Sequence, residues 1–412
     1  MKAYIAKDIR NMNRKTIYNC IISSPDQTTS CARIARETHI SLPTVIKITE
    51  FFQNKGLLRE TEGIQNSTIG RPPSMLKFDP GSYLSVGSVY NGKFLEISII
   101  NLNYETVATE RVWDTLSIEE LMSDFFINAL DSLLTRSDID PNRLIGIGLA
   151  LPVILDTINM RSDHPAPLLG LLQPYDFKTA GKMISKKYNC PFYMENDVNS
   201  AALGEFKAGS YGEKDDLIYI AVNNGVGGGI ILDGRLRRGK RFSAGEIGYM
   251  VFNAEHMSEK DQEGYIESKL SSEFLLEQYG YSVFENNSQI DSEILVRVAE
   301  HISSYLSLCI VNLSIALDVD KFVIGGFSLE KIESLVVKFT QEKIARLGLN
   351  PIHLQATMTD YSASLGIGAL AIDKSIDDIL TSEIETSDDL AVHEDFRRII
   401  TRKSFQERHI LN

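Results

Sequence analysis

The chain has 412 residues, of which 43% are hydrophobic and 24% charged, a composition typical of a globular protein with two or three domains. The N-terminal stretch MKAYIAKDIRNMNRK lacks the apolar core of a signal peptide, and we expect no membrane-spanning helix because no apolar run approaches 18 residues. Four widely spaced cysteines argue against a disulfide framework and favour a reducing, cytoplasmic location.

The charge is unevenly distributed along the chain. Residues 1–80 contain 12 basic and seven acidic side chains, a net charge of +5. The whole chain carries −13, so the remainder carries −18. A basic N-terminal segment on an acidic body indicates that only this segment binds a polyanion.

Two short helices are predicted at the start of the basic segment. Residues 13–23, NRKTIYNCIIS, place apolar side chains at helical spacing. Residues 28–40 open with hydroxyl residues that can cap a helix. We expect this second helix to bury Ala32, Ile34 or Ala35.

A third helix is predicted in residues 41–56, SLPTVIKITEFFQNKG. Ser41 is the expected N-cap, Pro43 lies in the first turn and Gly56 follows the end. Its apolar stripe comprises Val45, Ile48, Phe51 and Phe52. A tight turn at residues 38–40 would join it to the second helix.

This pattern predicts a helix-turn-helix whose third helix offers its first residues to base edges in the major groove of DNA. The expected DNA-reading residues are Ser41, Leu42, Thr44 and Lys47. Residues 57–63 and 74–80 are typical of two wing strands, and the arm between them carries Arg71 in the sequence GRPP. Such an arm can enter a minor groove. The alternative is a small module that binds another protein.

From residue 81 the pattern changes to strands alternating with helices. Strands are predicted within 95–105, 144–156, 216–236 and 321–329, and helices within 118–135, 175–187, 197–208, 266–280 and 290–316. Strand hairpins followed by helices, twice over, predict an α/β protein with two similar lobes around a cleft. Ligands bind such folds at the carboxyl ends of the strands.

Four motifs in this body resemble the ROK family (repressor, open reading frame, kinase): ENDVNSAALGE (195–205), NNGVGGGIILDGRLRRG (223–239), AGEIGYM (244–250) and VIGG (323–326). The resemblance implies the actin-like, ribonuclease H-like fold of sugar kinases. The basic segment followed by GRPP is similar to the repressor branch, with its xylose- and N-acetylglucosamine-type repressors. The implied domains are a winged helix-turn-helix (1–80), two actin-like lobes (81–195 and 196–372) and a C-terminal extension (373–412). The extension would be either a docked helix or disordered.

The resemblance also implies a sugar site. Sugar hydroxyls need paired donors and acceptors, which Asn196 and Asp197 supply at a strand-to-helix junction. In ROK kinases the matching Asp is the catalytic base. Glu246 and Glu267 match two further carboxylates that contact sugar. The structural alternatives are a helix N-cap for Asp197 and a solvated helix position for Glu267.

Two departures from the family pattern argue against catalysis and metal binding. The kinase phosphate hairpin runs Asp, apolar, Gly, Gly, Thr, whereas this chain has the sequence SVGSV at residues 85–89, so we expect no bound ATP phosphate. Tyr249 replaces the family's zinc-binding His, and either bonds a ligand or simply packs. Residues 251–267 contain His256 but no cysteine, so we expect no metal and no cofactor.

The sequence therefore predicts a cytoplasmic, sugar-responsive transcriptional regulator, a repressor of carbohydrate-utilisation genes with a non-catalytic sensor. Its partners would be a double-stranded operator, a sugar or sugar-phosphate effector, and a second copy or more of itself, since a two-fold operator needs paired heads. The alternatives are a ligand-independent DNA-binding regulator with a decayed sensor, and an ATP-dependent sugar kinase.

Overall fold

The computed structural model describes residues 2–61, 74–223, 225–253, 264–281, 291–329, 331–348, 351–358 and 362–382. The chain divides into two compact units. The first, called the head below, comprises residues 1–79 and 376–412. The second, called the body, comprises residues 80–375.

Among its described residues, the head contains three complete α-helices, the end of a fourth and a small antiparallel sheet. Its elements are α1 (Lys2–Ile22), β1 (Thr28–Thr29), α2 (Cys31–Thr38), α3 (Leu42–Asn54), β2 (Leu58–Thr61) and β3 (Met75–Phe78). The sheet order is β1-β3-β2. The predicted stripe of α3 is buried, and in α2 Ile34 is fully buried whereas Ala32 is exposed. Helix α3 thus packs its apolar face inward and leaves its opposite face to solvent.

The body contains twelve strands and nine helices among its described residues. The strands are β4 (Leu84–Tyr90), β5 (Phe94–Asn101), β6 (Thr106–Trp113), β7 (Leu144–Leu151), β8 (Arg161–Ser162), β9 (Tyr175–Asp176), β10 (Phe192–Asn196), β11 (Leu217–Val222), β12 (Val226–Leu232), β13 (Arg235–Leu236), β14 (Lys321–Gly325) and β15 (His353–Ala356). The helices are α4 (Ile118–Glu120), α5 (Phe126–Arg136), α6 (Lys178–Tyr188), α7 (Asp197–Ala208), α8 (Glu267–Leu270), α9 (Ser272–Tyr279), α10 (Ser292–Leu317), α11 (Glu333–Ala345) and α12 (Ser362–Thr381), whose last residues, 376–381, belong to the head.

Two five-stranded sheets form the centres of two lobes. The first has the order β10-β7-β4-β5-β6, and the second has the order β13-β12-β11-β14-β15. Each sheet combines an antiparallel hairpin with parallel neighbours, as β4 pairs antiparallel with β5 and parallel with β7. Each lobe has its own apolar core. The repeated pattern that the sequence predicts is therefore present.

One helix corrects the sequence analysis. Among the described residues, α10 is the helix that is long and apolar enough to cross a membrane by length and composition. Residues 301–317 lack charged side chains, which the search for apolar runs missed. Its inward face, including Ile302, Leu306 and Ile310, is fully buried in the core of the second lobe.

Helices α7 and α12 cross at unusually short range. A Cβ atom on Gly204 of α7 would overlap the carbonyl oxygen of Ser362, and one on Gly366 of α12 would overlap that of Ser200. Only glycine permits backbones to approach so closely. The crossing fixes α7, whose first residue is Asp197.

Candidate functional sites

The start of helix α3 is built by a tight turn. His39 ends α2 in the left-handed conformation, with φ of 58°, and the chain enters α3 after Ser41. Ser41 occupies the N-cap position, but its side chain makes no cap hydrogen bond. Its hydroxyl lies instead 2.8 Å from that of Thr44. The predicted N-cap position is therefore confirmed, but the Ser41 hydroxyl bonds that of Thr44 at the exposed start of the helix and does not cap the backbone.

The outward face of α3 carries the predicted DNA-reading residues. Leu42 is 44% exposed, Lys47 is exposed and Thr44 is half-buried. Ile46, which the sequence analysis did not select, is 41% exposed one turn after Leu42. Its spacing of four residues from Leu42 places it on the same face of the helix, and this spacing could have identified it from the sequence. An apolar side chain here suits contact with a thymine methyl group.

The wing adds two cations to the same unit. Strand register places Arg59 of β2 directly opposite Lys77 of β3. Like charges directly opposite each other destabilise a sheet unless an anion lies nearby. This pair therefore suits a phosphate backbone, and only the strand register reveals it. Arg71 lies outside the described residues, so its minor-groove role stays a prediction.

In the body, Asn196 is the residue that caps helix α7. Its Oδ1 accepts hydrogen bonds from the backbone N–H groups of Val198 (2.9 Å) and Asn199 (3.0 Å). Its Nδ2 donates to the carbonyl oxygen of Val153 and to Asp197 Oδ1, both at 3.2 Å. The alternative of an N-cap thus applies to Asn196, while Asp197 is the first helical residue, with its carboxylate held by its neighbour.

Of the three predicted carboxylates, Glu246 lies within electrostatic reach of both Glu267 and Asp197. Burial raises the pKa of Asp197 to about 6. The pKa of Glu246 is also raised, first by burial and then by the negative charges of Glu267 and Asp197. Buried carboxylates that repel one another destabilise the folded protein unless a ligand donates hydrogen bonds to them. The cluster therefore suits a ligand rich in hydroxyl donors.

Glycines in and around β12 permit this clustering. A Cβ atom on Gly229 would collide with Ala202 of α7, and one on Gly245 would overlap the Gly228 carbonyl oxygen. Gly245 has φ of 94°, and its own carbonyl oxygen accepts the Gly228 N–H at 2.7 Å. These close approaches bring the start of α7 and the turn before Glu246 to the same strand.

Tyr249 lies on the short turn that follows Glu246. Its N–H donates to the Glu246 carbonyl oxygen at 3.2 Å, and its side chain is 54% exposed. Its predicted contact with a ligand stays a prediction.

Two serine hydroxyls of strand β4 hold the β4–β5 hairpin against its neighbours, α12 and β7. Ser85 and Ser88 are fully buried. Ser85 Oγ donates to the Gly368 carbonyl oxygen at 2.9 Å, and Ser88 Oγ donates to that of Gly148 at 2.6 Å. Both hydroxyls are used within the fold, which gives a structural reason for the serines in place of the kinase residues.

The described residues contain no group of three or more His, Cys, Asp or Glu side chains able to hold a metal ion. His256 and its neighbours at 254–263 lie outside the described residues. The expected absence of zinc therefore stays a prediction.

The ROK family model matches residues 91–374, which is more than half of the chain. This chain belongs to the ROK family. The family resemblance identified from the four motifs is confirmed.

Among curated ROK relatives, the xylose repressor of Bacillus subtilis (strain 168) is 23% identical over 382 residues, covering 90% of this chain and 97% of the relative. The xylose repressor of Caldicellulosiruptor bescii is 25% identical over 249 residues, covering 60% of each chain. A match that covers 90% of this chain includes part of the head as well as the body. The predicted likeness to the repressor branch is thereby confirmed.

A solved ROK structure shows the same fold. A ROK family transcriptional regulator, described as a homolog of the Escherichia coli MLC protein, superimposes with a TM-score of 0.71 at 19% identity, covering 90% of this chain and 98% of that one. The predicted fold class, a winged helix-turn-helix and an actin-like α/β body, is confirmed.

Proposed function

We propose that this protein is a sugar-responsive, DNA-binding transcriptional repressor of carbohydrate-utilisation genes. The head supplies an exposed helix-turn-helix face and a basic wing, and the body supplies a carboxylate cluster suited to sugar hydroxyls. The observation that carries the proposal is that this carboxylate cluster coexists with a phosphate hairpin whose serines are bonded within the fold. Such a body suits sensing better than phosphoryl transfer.

The proposed partner is a double-stranded operator in the cytoplasm, bound by a homodimer or larger assembly. One helix-turn-helix reads only a few base pairs, and a two-fold operator requires two heads. The effector is a sugar or sugar phosphate, and xylose is the first sugar to test because two curated relatives are named xylose repressors. Effector binding would change operator affinity through a coupling of about 1–3 kcal/mol.

Two experiments test this function. Selection from random duplexes should yield one preferred sequence, bound with an affinity that falls steeply with salt. A panel of pentoses, hexoses, amino sugars and their phosphates should contain at least one compound that raises the melting temperature and changes operator affinity. If the protein shows no sequence preference, it is not a sequence-specific transcriptional regulator.

The two alternatives are separated by the same protein preparations. A ligand-independent regulator would select an operator but respond to no sugar in the panel. A sugar kinase would consume ATP in the presence of Mg²⁺ and a sugar, and would lose that turnover in Asp197→Asn. We expect no turnover, because the hairpin lacks the phosphate-binding carboxylate and hydroxyl.

A further inference from the structure

A groove of about 400 Å³ runs beside the DNA-reading helix of the head, and we call it the α1–α3 groove. It is lined by Ile9, Arg10, Asn13, Arg14, Pro43, Thr44, Lys47, Ile48 and Phe51. Its walls are thus partly apolar and carry three cations. Thr44 and Lys47 belong to the predicted DNA-reading face, so an occupant of this groove would meet the residues that DNA needs.

Arg14 is a buried cation at the base of this groove. It is 1% exposed, and its guanidinium carbon lies 3.7 Å from the centre of the Phe51 ring. Its Nη1 donates to the carbonyl oxygens of Leu380 (2.9 Å) and Ser382 (2.7 Å). Burial and the neighbouring charge of Arg10 both lower its pKa. A buried cation beside a second cation gains stability when a carboxylate approaches.

Arg10 has an unmet hydrogen-bonding group in the same groove. Its Nε is buried and has no hydrogen-bond partner in the part of the chain that the structure describes. Leaving such a donor unsatisfied destabilises the folded protein, and more so when the group is charged. The groove therefore presents the Arg10 guanidinium group, beside the buried cation of Arg14, to an acidic ligand with some apolar side chains.

The chain itself carries a segment of this composition immediately after Ser382. Residues 383–395, EIETSDDLAVHED, contain six carboxylates and no lysine or arginine, with Ile384 and Leu390 among them. The segment begins one residue after Ser382, whose carbonyl oxygen already bonds Arg14. Lys15 pairs with Asp377 at 2.6 Å, which further holds the preceding turn against α1. At about 3.3 Å per residue, Glu383 and Glu385 start within reach of the groove.

We propose that residues 383–395 dock in the α1–α3 groove and compete with DNA for the head. The carboxylates bind Arg10 and Lys47, close to the buried charge of Arg14, and the apolar side chains rest on the groove's apolar wall. The acidic segment thus acts as an internal mimic of the DNA backbone, and it lowers operator affinity in the free protein. Because the tether holds the segment at an effective concentration of about 1 mM, even weak docking competes with DNA.

The proposal rests on the proposed DNA binding for its consequence, but docking itself can be measured without DNA. A synthetic peptide with the sequence of residues 383–395 should bind a chain that ends at Ser382, as measured by calorimetry at low salt. Arg10→Ala in that shortened chain should abolish the binding. A peptide with its six acids changed to the matching amides is the control. Failure of the acidic peptide to bind would overturn the docking whether or not DNA binds.

The consequence is tested with four proteins and a selected duplex: the full chain and the chain ending at Ser382, each with and without Arg10→Ala. Removing the tail should raise DNA affinity about two- to tenfold in the native background. In the Arg10→Ala background, removing the tail should change DNA affinity very little. A tail effect of equal size in both backgrounds would indicate general charge repulsion and overturn the proposal. If Arg10→Ala weakens DNA binding equally with and without the tail, the groove serves DNA alone, and the proposal is again wrong.

Discussion

Arg238 Nε donates to Glu195 Oε2 at 2.6 Å, joining the segment after β13 in the second lobe to the end of β10 in the first. The Glu195 side chain is 2% exposed and that of Arg238 is 27% exposed. The other carboxylate oxygen, Oε1, accepts the Asn196 N–H at 3.0 Å and Asn199 Nδ2 at 3.2 Å. One ion pair therefore links the two lobes and braces the junction that carries Asp197.

Removal of the Arg238 side chain should destabilise the protein because it leaves the buried carboxylate of Glu195 without its cation. We expect Arg238→Ala to lower the free energy of unfolding by about 2 kcal/mol, measured by urea denaturation. Arg161→Ala, which breaks an exposed pair with Asp163, should cost no more than about 0.5 kcal/mol. The double variant Glu195→Gln/Arg238→Ala should be more stable than the single Arg238→Ala. If Arg238→Ala and Arg161→Ala cost the same, the bridge does not stabilise the body.

Asp197 should make stability depend on pH in a definite direction. Its folded pKa of about 6 lies above its ordinary value of 3.8, so the folded protein holds this proton more tightly than the unfolded chain does. The resulting stability is present below about pH 4 and is lost as the pH rises through about 6. At pH 7 the free energy of unfolding of Asp197→Asn should therefore exceed that of the native chain, by at most about 3 kcal/mol.

The difference between Asp197→Asn and the native chain should vanish near pH 4 in urea denaturation. Glu277→Gln, an exposed carboxylate on α9, is the control and should not reproduce it. The same Asp197→Asn protein should lose the sugar-induced rise in melting temperature while its operator affinity without sugar stays unchanged. An unaltered sugar response would place the effector pocket elsewhere in the body.

The exposed face of α3 should determine DNA recognition. Lys47→Ala and Thr44→Ala should each weaken binding to the selected duplex by about 1–3 kcal/mol, measured by fluorescence anisotropy. If Lys47 contacts a phosphate, its removal should also make the slope of the logarithm of the binding constant against the logarithm of salt concentration shallower by about one unit. Lys186→Ala removes an exposed cation from α6 of the acidic body and should have no effect. Equal losses for Lys47→Ala and Lys186→Ala would mean that charge alone determines binding.

Ser85 should not tolerate the carboxylate that the family's kinases carry. Its Oγ is a donor to the Gly368 carbonyl oxygen, so an aspartate would place two acceptors face to face in a buried site. Ser85→Asp should cost more than about 3 kcal/mol, and Ser85→Ala about 1 kcal/mol, in thermal or urea unfolding. A stable Ser85→Asp/Val89→Thr protein that binds ATP would show that the hairpin retains a phosphate site.

The sequence by itself determined the helix-turn-helix, the alternation of strands and helices in the body and the family, but it did not reveal α11 or α12. The helix-turn-helix could be predicted because its signals are local: the apolar spacing of α3, Pro43 in its first turn and Gly56 past its end lie within one segment. The ROK motifs likewise are short runs around turns that the backbone requires. The likeness to repressors followed from the basic head, whose charge is a property of composition alone.

Only the tertiary structure decided which side chains meet. Residues 43 positions apart form the Glu195–Arg238 bridge, and Arg59 opposes Lys77 only because the wing strands pair in one register. Asn196 and Asp197 are adjacent in sequence, but backbone geometry made the amide the cap and the acid the first residue of α7. Such pairings depend on packing between distant segments, because an ion pair or a close contact requires positions fixed to within an ångström, and local sequence spacing does not fix positions that far apart in the chain.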